Sequence, residues 1–119
     1  MLADIGAHLA HHFAAGLYAK ETSIPAGMVL VQHRHRDDHL SILASGTVEL
    51  EVDGQNTTHV GPACLTIKAG QHHGIKALTD AVWFCIHATD CDDPEKVDQL
   101  LIAADSNGAQ MRQIAEAMA

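Results

Sequence analysis

Three histidines, His33, His35 and His39, stand in an HxHxxxH array inside the stretch GMVLVQHRHRDDHLSILASG, bracketed by Gly27 and Gly46. Imidazole is the commonest metal ligand in proteins, so three rings at this spacing can bind one divalent ion if the backbone brings them to a common point. His73, in KAGQHHGIKA, is a fourth candidate ligand, although its neighbour His72 would replace it after a register change of one residue. With His73 turned inward, His72 is expected at the rim or surface. His87, in WFCIHAT, alternates with Trp83 and Cys85. It is a candidate catalytic residue, a proton carrier or an outer partner of the metal ligands, with a packed barrel-end histidine as the plainer alternative.

What must position these rings is a strand. Alternate residues of a strand share a face, so His33 and His35 would point the same way about 7 Å apart. On a helix the same two residues differ by about 200° and face opposite directions. Arg36-Asp37-Asp38 then supplies a polar turn, and His39 opens the next apolar segment, which lets it return toward the first two.

The flanking sequence is β in character. Met28 to Gln32 is a β-branched apolar run, and Thr47 to Val52 alternates with period 2 before an Asp53-Gly54 turn, with Val48, Leu50 and Val52 toward the core. Further strands are expected at Thr57 to Val60, Ala63 to Ile67, His73 to Ala77 and Ala81 to His87, separated by Gly61-Pro62, Ala69-Gly70 and Thr79-Asp80. Short strands with frequent turns indicate a sandwich or barrel.

After this region the period changes. Asp93-Pro94-Glu95 reads as a helix start with Asp93 as N-cap, and Val97, Leu100, Leu101 and Ala104 would share one face. A second helix is expected from near Ser106, with Met111, Ile114, Ala115 and Met118 as its apolar stripe, and Leu2, Ile5 and Leu9 suggest a short N-terminal helix on which His8, His11 and His12 are solvated. His59 falls in a polar hairpin and is expected to be exposed.

Composition removes several function classes. The 119 residues fit one domain, 1–119, and 47% hydrophobic content can fill one core. A formal charge of -8, from 7 Lys and Arg against 15 Asp and Glu, would repel a phosphate backbone, so nucleic acid is not an expected partner. Three cysteines without a CxxC pair read as free thiols of a reducing compartment, Cys64 and Cys85 as small core residues. Asp4 and three histidines interrupt the apolar N-terminal stretch, which reads as neither signal peptide nor membrane span. The expected location is cytoplasmic.

The HxHxxxH unit resembles the first conserved motif of the cupin superfamily, G(X)5HXH(X)3,4E(X)6G, with Gly27, His33, His35 and Gly46 in register and His39 where that family usually has Glu. The second motif, G(X)5PXG(X)2H(X)3N, is matched more loosely by Gly61, Gly70 and His73, with one extra residue after Gly61, Lys68 in place of Pro and Ala77 in place of Asn. The resemblance covers roughly residues 25–87.

It implies an all-β fold, a small cupin-type β-barrel or jelly roll over about 15–89, with short C-terminal helices over about 93–118. It also implies that His33, His35, His39 and His73 ligate one divalent transition metal (Fe, Mn, Ni, Co or Zn) at the barrel mouth. His in place of Glu leaves the ion its full charge, which would raise its Lewis acidity and potential. Small cupins suggest a metal-dependent enzyme, dioxygenase-like or an isomerase or lyase, acting on a small oxygen-rich chelating molecule, and a homodimer. A non-catalytic binding or sensing barrel and a closed structural zinc site remain as alternatives, because one fold hosts many chemistries.

Overall fold

Alternating burial carries most of the chain into strands. The computed structural model describes residues 8–32, 34–101 and 108–118. Its strands are β1 (His8–Ala14), β2 (Leu17–Ile24), β3 (Val29–Gln32), β4 (His39–Ser45), β5 (Thr47–Val52), β6 (Gln55–Val60), β7 (Ala63–Ile67), β8 (His73–Ala77) and β9 (Ala81–Ala88), followed by α1 (Val97–Leu101) and α2 (Gly108–Met118). The strands form two antiparallel sheets, one ordered β1-β2-β9-β4-β7 and the other β3-β8-β5-β6. The sheets face each other as the small β-barrel expected from the sequence.

The inward residues are those that period 2 selects. Ile24, Leu30, Leu43, Val48, Leu50, Ile75, Ala77, Ala81, Trp83 and Cys85 form one buried cluster. Asp53 and Gly54 both take positive φ, 51° and 78°, and close the β5–β6 hairpin with Val52 opposite Gln55. Primed turns need that conformation because their twist matches the strands.

The C-terminal helices cover specific patches. Asp93 caps the first turn, its Oδ1 accepting from Glu95 N at 2.9 Å, and Val97 and Leu101 of α1 pack with Tyr18. Leu100 was expected on the same face but is half exposed, since only the Val97 and Leu101 side of this short helix meets the barrel. Ala104 lies outside the described residues. Helix α2 buries Met111 and Met118 and lies over β3 and β8. A Cβ on Gly74 would run into Met118 and Ile114, so glycine at this point of β8 is what lets α2 dock.

Other expectations are corrected at the N-terminal edge and on β7. The segment His8–Ala14 is a strand, paired along its length with β2 in register His8↔Ser23 to Ala14↔Leu17, and not part of a helix; Leu2 and Ile5 lie outside the described residues. Strand β2 itself was not anticipated. Cys64 is exposed, because its position on β7 faces outward, while Cys85 fills the interior as expected. Among the described residues, no helix is long and apolar enough to cross a membrane.

Candidate metal centre

The antiparallel register of β4 and β9 stacks their inward residues in rows. Leu43 pairs with Trp83 and Ser41 with Cys85, and one step further along both strands stand His39 and His87. Their ring centroids are 4.3 Å apart with planes inclined at 31°. His35 follows β3 and enters the same space, 4.8 Å from the His39 ring and 4.7 Å from that of His87. Ligand atoms of His35, His39 and His87 all lie within 4.8 Å of one another. His73 opens β8 between Gln32 and Val52 and approaches from the opposite sheet, 6.1 Å from the His39 ring.

Backbone contacts fix the loop that carries His35. Its carbonyl accepts from Gly70 N at 3.1 Å, and the next residue, Arg36, donates its N–H to Leu101 O at 2.8 Å. Asp38 ties the same loop to the β7–β8 turn by accepting from Ala69 N at 2.8 Å. The two loops that deliver His35 and His73 are thus held together.

The rings of His35, His39 and His73 are held neutral and lack partners among the described residues for most of their nitrogens. Both ring nitrogens of His39 and of His73, and Nδ1 of His35, are buried without a hydrogen-bond partner among the described residues. Leaving a buried polar atom unsatisfied costs about 1–3 kcal/mol, so a cluster of them calls for something to bind. Burial is the largest influence on each ring's proton affinity, lowering His35 from the ordinary 6.5 to about 2, His73 to about 3 and His39 to about 4. The other histidines add to this for His35 and His73, whereas the backbone of Asp37, outside hydrogen-bonding geometry, and the charge of Asp38 oppose it for His39. Neutral imidazoles with free lone pairs converging from separate strands are a donor set that fits a divalent transition ion.

Next to the rings lies a fully buried floor. Trp83 Nε1 donates to Cys85 Sγ at 3.3 Å, Ser41 Oγ donates to the same sulfur at 3.7 Å, and Trp83 and Leu43 are fully buried. Beside His87, its β2 partner Tyr18 stacks at a centroid distance of 6.3 Å and shares a 2.7 Å hydrogen bond with His11 Nδ1.

No protein-family model matches the sequence, and no curated protein matches it. Solved structures do. KdgF from Halomonas sp. superposes with a TM-score of 0.64 at 20% identity, over 75% of this chain and 84% of that one. A cupin superfamily protein from Desulfitobacterium hafniense gives 0.62 at 16% identity, over 71% of this chain and 78% of that one. An RmlC-like cupin from Shewanella frigidimarina gives 0.62 at 20% identity, over 74% and 80%. The chain has the cupin fold. A predicted oxalate decarboxylase from Thermotoga maritima shares it at a TM-score of 0.59 and 12% identity, over 67% of this chain and 77% of that one.

Of the residues assigned from the cupin motifs, His35, His39 and His73 are buried, and His33 lies outside the described residues. His87 stands closer to His35 and His39 than His73 does, a proximity that the motifs do not contain. The alternation of Trp83, Cys85 and His87 was the available signal, and it became decisive only with the β4–β9 register. His72 is buried, not at the rim, with Nδ1 donating to Gln32 O at 3.1 Å. His8, His11 and His12 are exposed as expected, although on a strand, and His59 is half-buried and hydrogen-bonded to Thr57 Oγ1. A shallow cavity of about 260 Å³ lined by Ile24, Pro25, Asp80 and Ala81 belongs to the other end of the β2–β9 pair and holds no histidine cluster.

Proposed function

We propose that this cupin binds one divalent transition ion, Fe, Mn, Ni, Co or Zn, through the converging His35, His39 and His87. His73 and His33, the remaining members of the set assigned from the sequence, belong to the same proposal. The observation that carries it is the set of buried ring nitrogens of His35, His39 and His73 that have no hydrogen-bond partner among the described residues, together with the close approach of His35, His39 and His87.

The finer reading is a metal-dependent enzyme, dioxygenase-like or an isomerase or lyase, that acts on a small oxygen-rich chelating molecule in a cytoplasmic homodimer. When bound, the ion supplies Lewis acidity and, if redox-active, electron transfer. The chain's own residues do the rest. Burial keeps the histidines unprotonated at neutral pH, so their lone pairs face the site. Trp83 and Leu43 exclude water from below. Tyr18, anchored by His11, fixes the face that His87 presents. His87 is the candidate for moving a proton if it does not ligate.

Metal analysis of the purified protein, then anaerobic Fe(II) loading and oxygen-consumption assays over diketones, flavonols, thiols and enediols, tests the catalytic reading. Absence of turnover with iron-loaded protein moves the assignment to a non-catalytic binding or sensing barrel. The near-complete burial of His35, His39, His73 and His87 favours a second reading, a closed zinc site. Exchangeable water on the bound metal, measured by proton relaxation, separates the two. Sedimentation equilibrium tests the homodimer.

A further inference from the structure

Gln32 is an amide on the inner face of the barrel that neither the apolar core nor the histidine set accounts for. Strand β3 alternates: Leu30 belongs to the core, Val31 lies opposite Gly74 on the face that α2 covers, and Gln32, the next inward residue, stands directly opposite His73 on β8. It is only 4% exposed. Its backbone is fixed, because its carbonyl accepts from His72 Nδ1 at 3.1 Å while the strand pairs with β8. Yet its side-chain Nε2 is buried with no hydrogen-bond partner among the described residues.

A divalent ion cannot meet that need. The ring nitrogens of His35, His39 and His73 offer lone pairs, which a cation satisfies, whereas an amide nitrogen has only hydrogens to give and must find an acceptor. The row in which Gln32 stands does not supply one. Both nitrogens of the His73 ring are themselves without a partner, and Val52 beyond it is apolar. A closed metal site, with its imidazoles satisfied and nothing else bound, would leave Nε2 buried and orphaned, a state that native interiors rarely keep. The amide therefore marks a second occupant beside the ion.

We infer that the histidine site takes, next to its ion and on the β3–β8 side, a small molecule carrying a carbonyl or carboxylate oxygen, and that Gln32 Nε2 donates to this oxygen. The inference rests on the metal reading and adds to it an open ligand position and a residue that selects for an acceptor oxygen. Molecules whose remaining groups are donors gain nothing from Gln32.

Co(II)-loaded protein titrated with oxalate and with imidazole, read by the visible absorption of the ion, tests it. Oxalate that chelates the ion keeps oxygens free to accept, whereas imidazole bound through one nitrogen keeps only an N–H. Gln32→Leu is expected to lose about tenfold in oxalate affinity, the size of one hydrogen bond to an anion, with imidazole and Co(II) binding unchanged. Gln32→Glu, which keeps the shape and replaces the donor by an acceptor, should lose at least as much for oxalate. Oxalate affinity unchanged in Gln32→Leu, or Co(II)-loaded wild type that does not take up oxalate, would overturn the inference and leave the metal reading intact. Weaker Co(II) binding by Gln32→Leu would mean that the amide oxygen faces the ion, which also overturns it. In urea the metal-free Gln32→Leu protein should be no less stable than wild type, since only an unsatisfied group is removed; a clear loss would mean that the amide has a partner within the protein, against the inference. Wild-type protein that binds no Co(II) would overturn both readings.

Discussion

His39 and His87 face each other across β4 and β9 with ring centroids 4.3 Å apart, although 48 positions separate them in the chain. This pairing follows from the sheet register and would hold for any two inward residues at these points. That both are histidines, with His35 within 5 Å of each, gives the barrel a candidate donor set drawn from three separate segments.

Removal of either partner should therefore cost metal affinity. Loss of an outer-sphere partner typically costs 10–100-fold, so loss of a ligand should cost more. His39→Ala and His87→Ala are each expected to weaken Zn(II) or Co(II) binding beyond about a hundredfold in competition with a chromophoric chelator. If His87→Ala binds like wild type while His73→Ala does not, the ligands are those of the motif alone and His87 is an outer residue.

Much of the fold was legible because the core strands alternate cleanly: β5 through β9 were expected close to where they stand. Strand β2 was not, since Lys20 occupies an inward position and Glu21 and Ser23 leave no run of apolar residues to mark it. Strand β1 has no buried residue, so its apolar letters lie at spacings that suit a helix equally well, and pairing with β2 decides the matter. The site divides in the same manner. Local spacing reveals His35 and His39, whereas His87 belongs to the cluster through a contact between distant strands, which no spacing within β9 expresses.

Acid should unfold the metal-free protein by way of the same histidines. Their folded values, about 2 for His35, 3 for His73 and 4 for His39, all lie below the 6.5 of the unfolded chain. Between these limits the unfolded state binds more protons, so stability rises with pH through the window and is lost as pH falls below about 6.5. The slope should approach about 1.4 kcal/mol per pH unit for each histidine that stays neutral. Urea titrations from pH 8 to pH 4 measure it. Bound metal should displace the acid limb to lower pH, and a stability curve flat down to pH 4 in the metal-free protein would contradict the burial of these rings.

Gly74→Ala should separate the helix from the barrel. The added methyl meets Met118 and Ile114, and overpacking of this kind costs about 1–3 kcal/mol. Chemical denaturation should register that loss, and Met118→Ala in the same chain should recover part of it by vacating the space. Metal affinity should hold within a few-fold, because α2 lies on the outer side of the sheet, away from the His73 ring. A Gly74→Ala protein as stable as wild type would mean that α2 does not dock where the structure has it.

His39→Glu should restore to the site the carboxylate that most cupins carry at this point of the motif. In the metal-free protein the new charge is buried among apolar neighbours and neutral rings, so stability at pH 7 should fall. With metal bound, the carboxylate offsets one of the two charges of the ion, so binding should survive and the variant should gain more thermal stability from metal than wild type does. Iron-loaded His39→Glu should also show a lower reduction potential, because an anionic donor favours the higher oxidation state. Differential scanning calorimetry with and without Zn(II), and redox titration of the iron form, read the two effects. Loss of metal from a variant whose circular dichroism is unchanged would argue that position 39 is not a ligand in the sense the cupin motif implies.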